Sequence, residues 1–197
     1  MQKLSVTSAL LALSILAAIA FPGCSVNVKK DDQDEDKNVD ISTPVGGIHV
    51  SKEADPNATG LAIYPGAKLI EKDDKGDDKS ANVNINTPFF GLKVVAQEYR
   101  TDASQDKLIS YYTGQLSKFG SVLQCKGSWH GGHTEIRERP GDHKAKQLTC
   151  DEGDKGDAVE LKVGTEDNQH LVAVAPDGKG SKFALVRVVV RGKEDMI

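Results

Sequence analysis

From Asn82 the chain reads Asn-Val-Asn-Ile-Asn, breaks at Thr87-Pro88, and resumes after Gly91 with Leu92, Val94 and Ala96 two apart. A period of two is that of a strand with one apolar face, so the spacing predicts a hairpin. The same pattern stands 44 positions earlier: NVDISTPVGGIHV from Asn38 is nearly rewritten as NVNINTPFFGLKV from Asn82. Each copy encodes a hairpin with one apolar face, and an isolated two-stranded hairpin is marginal in water. The copy at 38–52 is therefore expected to add to an edge of the sheet that holds its twin, in its own chain or in a neighbouring one. Pro44 suits such an edge, having no N–H to give.

After Thr101-Asp102 the period changes. Leu108, Ile109, Tyr112, Leu116 and Phe119 recur at helical spacing, Asp102 or Ser104 can cap the start, and Gly120 stops the run. Core packing with a wetted edge accounts for Tyr111 and Tyr112. SVLQCKG, QLTCDE, AVELKVG, QHLVAVA and FALVRVVVRG then read as strands, the last three parted by the turn compositions TEDN and PDGKGSK. Upstream, Tyr64-Pro65-Gly66-Ala67 carries a type II turn signal. Strands, one helix and a further run of strands predict an α+β fold, with a mainly antiparallel sheet and one main helix packed on one face.

The first 25 residues fit none of this. MQKLSVTSALLALSILAAIAFPGCS has an early lysine, an apolar run from Leu4 to Phe21 and then Gly23-Cys24. The run is short for a bilayer span and fits the apolar region of a secretory leader. Its ending resembles the lipobox of bacterial lipoproteins. Gly23 and Cys24 match, while Phe21 and Pro22 depart from the usual residues. The resemblance implies removal of residues 1–23 and a lipid on Cys24, hence a membrane partner. Ser25, where an Asp would favour the inner membrane, points to the outer membrane, facing the periplasm. Five acids between Asp31 and Asp36 then repel one another, and 24–59 is expected to be a lipidated acidic tether carrying the repeat hairpin. The alternation of Asp32, Asp34 and Asp36 is not an EF-hand loop, because Lys37 and Thr43 stand where Gly and Glu are needed. One α+β domain is expected over 60–193.

A second resemblance covers roughly 60–125. The Tyr-Pro-Gly-Ala turn, a strand ending in Thr101-Asp102, the Tyr111-Tyr112 helix and its Gly120 stop are similar to a module of uncharacterised secreted bacterial proteins and lipoproteins. It implies a fold and brings no catalytic residues.

The full chain has 197 residues, 27% charged, with 25 basic residues against 29 acidic. No basic surface for nucleic acid follows from that mixture. With Cys24 set aside, Cys125 and Cys150 remain, and export to an oxidising compartment predicts a disulfide between them. The loop they would close contains Trp129, His130, His133 and His143. Three imidazoles, with Glu135 in reach by sequence, make 129–143 the best metal candidate of the chain. The spacing is not HExxH. No Gly-x-Ser-x-Gly, Walker loop or dinucleotide fingerprint occurs. The expected protein is a non-enzymatic envelope lipoprotein without cofactor, binding another envelope component or itself through 38–52. The alternative is a metal-binding protein or metal-dependent enzyme built on His130, His133 and His143.

Overall fold

Alternation becomes strand wherever both neighbours of a strand can satisfy its backbone. The structure, a computed structural model, describes residues 25–29, 38–51, 55, 57–71, 80–127, 129, 146–150 and 156–192, with the backbone alone over 26–29. Its strands are β1 (Ser25–Lys29), β2 (Asn38–Thr43), β3 (Gly46–Ser51), β4 (Lys68–Leu69), β5 (Ser80–Asn86), β6 (Gly91–Thr101), β7 (Leu123–Gly127), β8 (Ala158–Thr165), β9 (Asn168–Asp177) and β10 (Gly180–Arg191). One helix, α1 (Gln105–Leu116), lies between β6 and β7. The strands form a single open sheet in the order β1-β2-β3-β5-β6-β10-β9-β8-β7, and β4 pairs with β6. Every pairing is antiparallel. The α+β class and the mainly antiparallel sheet expected from the sequence are both present.

The register explains how β4 and β5 share one side of β6. Leu69 opposes Tyr99, but two positions along β6 it is Ser80, and not residue 71, that opposes Gln97. The pairing steps by nine residues without changing direction. In space β4 and β5 are one interrupted strand.

Helix α1 begins where Ser104, in extended conformation, accepts the N–H groups of Lys107 and Leu108 on its carbonyl. Its side chain makes no capping bond. The helix closes through a 3-10 turn, Ser117–Phe119, and ends at Gly120. Leu108, Tyr112 and Leu116, four apart, are fully buried. They join one apolar cluster with Tyr99, Val159, Leu161, Val163, Val172, Val174, Phe183 and Leu185. The register puts those sheet residues on a single face, since Phe183 opposes Tyr99 and Val174, and Val172 opposes Leu185 and Leu161. Removing Leu108 to alanine would cost about 2–5 kcal/mol. The Tyr64 N–H donates to the Tyr112 hydroxyl oxygen at 3.0 Å. Burial pushes the Tyr112 phenol up, the bond from Tyr64 offsetting it in part. The Tyr64–Ala67 turn forms as expected, with Gly66 at φ 79° and the Ala67 N–H on the Tyr64 carbonyl at 3.0 Å.

Two expectations are corrected. Residues 25–29, expected as part of the acidic tether, are strand β1, which pairs with the outer hairpin expected over 38–52; that hairpin joins the sheet through β3 and β5. The reason is that the outer hairpin finds its partner in the same chain. Of QLTCDE, the described residues 147–150 form no strand; Gln147 makes one isolated bridge to Thr165, and Lys146 offers its carbonyl to the Glu166 N–H at the β8–β9 turn.

Candidate functional site

The repeat builds a regular four-stranded surface. In the outer hairpin Val39 opposes Val50 and Ile41 opposes Ile48; in the inner hairpin Val83 opposes Val94 and Ile85 opposes Leu92. These registers are identical after a shift of 44. The two hairpins join through β3 and β5, where Ile48 opposes Ile85 and Val50 opposes Val83. Two aliphatic rows result across four strands, Ile41–Ile48–Ile85–Leu92 and Val39–Val50–Val83–Val94. Pairs of this kind contribute roughly 0.2–1 kcal/mol each. The opposite face of the same strands carries the row Asp40–His49–Asn84–Lys93. There His49 Nδ1 and Asp40 Oδ1 pair directly.

The two turns are also copies. Thr43 donates its hydroxyl to the Gly46 carbonyl at 2.9 Å, and Thr87 does the same to Phe90 at 2.9 Å. The Val45 and Phe89 amides each donate back to the threonine oxygen, at 3.3 and 3.4 Å. One position differs for a visible reason. A Cβ on Gly46, at φ 141°, would lie 2.4 Å from the Asn86 carbonyl oxygen and 2.9 Å from the Thr87 Cα. Gly46 is where the outer turn abuts the inner one, so no side chain fits. Its counterpart in the inner turn is Phe90.

Of the residues singled out in the sequence, Cys125 and Cys150 are joined in a disulfide. Cys24, His130, His133, Glu135 and His143 lie outside the described residues. Trp129 is described, and the Lys182 ammonium stands 4.5 Å from its ring centroid. Among the described residues no group of three or more His, Cys, Asp and Glu is placed to hold a metal ion. Beside the disulfide, Cys125 opposes Glu160, whose carboxylate pairs with the buried Lys162 at 2.8 Å.

The sequence did not single out His170. It is 6% exposed and stacks on Phe119 with ring centroids 3.9 Å apart. Burial, with the neighbouring Arg187 charge second, lowers its pKa to about 4. Arg187 donates to the Gln169 and Val188 carbonyls, both at 2.9 Å, and to Asn168 Oδ1 at 2.5 Å. Strand period two aligns His170 with the core face, and that was the available signal. A neutral ring held by stacking and an arginine spent on carbonyls suit a structural corner better than proton transfer.

A groove of about 550 Å³ runs along β4 beside Thr101 and Asp102, lined by Lys68, Leu69, Glu71 and Arg100. Arg100 is engaged by Asp177. Its charges are mixed and it brings together no nucleophile with a base. Among the described residues no helix is long and apolar enough to cross a membrane. No protein-family model matches the chain, and no curated protein and no solved structure is significantly similar to it.

Proposed function

We propose that the chain is an exported, lipid-anchored cell-envelope protein whose folded part is a non-enzymatic binding or structural module. In this reading residues 1–23 are removed and Cys24 becomes the acylated N-terminus. The observation that carries it is the Cys125–Cys150 disulfide. The chain has three cysteines, and with two of them bonded to each other Cys24 is the one left for acylation. A structural disulfide also belongs to an oxidising compartment, where a leader of this pattern would deliver the chain. Ser25 after the cysteine favours the outer membrane, facing the periplasm.

Within the module we read α1 as the cover of one sheet face, supported by the stripe Leu108, Tyr112 and Leu116 in the core cluster. The Tyr-Pro-Gly-Ala turn and the Tyr111-Tyr112 helix resemble a module of secreted bacterial proteins, which is the family support for this reading. The partner is another envelope component, met on the surface built by the repeat.

Expression of the whole chain in a lipoprotein-processing bacterium tests the anchor. Intact mass should show a chain starting at Cys24 with added acyl mass, recovered with membranes. Cys24→Ser should leave an uncleaved, unacylated precursor. A mature chain that begins after Cys24 would refute the anchor.

A further inference from the structure

One row of the sheet runs straight across six strands at one end. Ser25 opposes Ser42, Ser42 opposes Gly47, Gly47 opposes Asn86, Asn86 opposes Gly91, and Gly91 opposes Arg191. The chain leaves this row into both hairpin turns, and one peptide bond before Ser25 stands Cys24. A trans peptide keeps neighbouring Cα atoms about 3.8 Å apart. The expected lipid-bearing residue and both copies of the turn therefore share one end of the sheet. Both turns present an apolar residue at the equivalent position: Val45 is 67% exposed and Phe89 65%. Among the described residues these are the two most exposed large hydrophobics. Pro44 and Pro88 beside them are exposed as well.

We infer that this end of the sheet is a membrane-contact edge, at which Val45 and Phe89 enter the apolar side of the bilayer that holds the Cys24 lipid. The inference rests on the lipid-anchor reading above. With β1 starting at Ser25, no spacer separates anchor from sheet, so this end cannot stand off from the headgroups. At about 4.8 Å per strand, the inner turn lies roughly 15–20 Å across the membrane plane from the anchor. Two apolar turns at that distance give the domain a second point of contact and fix its tilt. Apolar groups at such an interface reach some 5–10 Å below the headgroups. Lys93 and Arg191 lie close to this end, but so do Asp40, Glu166 and Asp167. The charge is mixed, so the ligand is an apolar lipid surface and no anionic lipid is required.

The test uses the full chain, processed through its own leader and reconstituted into phosphatidylcholine vesicles. On a Trp129→Phe background, Phe89→Trp puts a single fluorophore at the inner turn. Val45→Trp does so at the outer turn, should the first variant fold poorly. Leu69→Trp is the control, 44% exposed and opposite Tyr99, eight residues along β6 and roughly 26 Å from that end. Lipids brominated in the upper acyl chain should quench the fluorophore at position 89 or 45 about twofold and leave that at 69 unchanged. Vesicle-bound, lipid-modified chain with equal, absent quenching at 89, 45 and 69 overturns the inference and leaves the anchor standing. The same absence with position 89 shielded from iodide assigns the edge to a second copy, which also overturns it. A chain whose intact mass shows no lipid overturns the anchor reading, and the inference falls with it.

Discussion

His170 is the residue whose environment departs furthest from that of the free amino acid in a way that can be read in solution. Unfolded, its imidazole takes a proton near 6.5; folded, burial and the Arg187 charge keep it neutral down to about 4. Below 6.5 the unfolded chain therefore binds more protons than the folded one. The stabilisation is complete above that value and is lost as pH falls through 4. Urea unfolding at pH 7 and pH 4 should show the parent losing on the order of 2 kcal/mol more than His170→Gln. Equal losses would mean that the Phe119 stack does not exclude the charged ring. Little of this corner was legible in the sequence. QHLVAVA read as a strand, but only the pairing of β9 with β8 and β10 puts His170 under Phe119 and beside Arg187, which are distant in the chain.

At the scale of elements, the two hairpins and the helix were read correctly because their signals are local. Period two, the Thr-Pro break and the Gly120 stop need no distant partner to be recognised. Adding the outer hairpin to its twin was also foreseen, and the structure makes that contact within one chain through β3 and β5. What could not be read was β1, since five residues of alternation after Cys24 are too few to separate from a linker. QLTCDE failed in the reverse sense: its composition is strand-like, but among its described residues 147–150 only Gln147 makes a bridge, to Thr165. The β3–β5 junction has a single-residue test. Gly46→Ala puts a methyl carbon 2.4 Å from the Asn86 carbonyl oxygen, on backbone that cannot swing away. The outer hairpin should then separate from the sheet first. Hydrogen exchange at Val39–Val50 should accelerate at least about tenfold while Tyr99 and Phe183 stay protected. Unchanged exchange in the outer hairpin would show that the turns do not abut.

The described residues form one open sheet, and the Cys125–Cys150 bond is the only covalent cross-link among them. It spans a sequence separation of 25 residues. In the chain-entropy account a loop of that size contributes roughly 3–4 kcal/mol. Reduction, or the Cys125→Ser/Cys150→Ser double variant, should lower unfolding free energy by about that amount. A midpoint shift worth less than about 1 kcal/mol would show that the reduced, unfolded chain is already compact there. The pairing itself was legible from the cysteine count together with the apolar run from Leu4 to Phe21.

The identical registers of the repeat carry a consequence for how such a chain changes size. The edge that the outer hairpin covers, β5, and the edge that it offers in turn, β2, present the same alternation at the same level. A tandem copy of this unit therefore arrives already matched to the place it must occupy, and each one adds two strands without any redesign of the core. Growth of that kind needs an end. Here β1 takes the last place, with Val26 and Val28 opposite Ile41 and Val39. Lys29, Lys30 and the acids from Asp31 to Asp36 follow it directly. A strand of different sequence thus occupies the edge that a third copy of the unit would match.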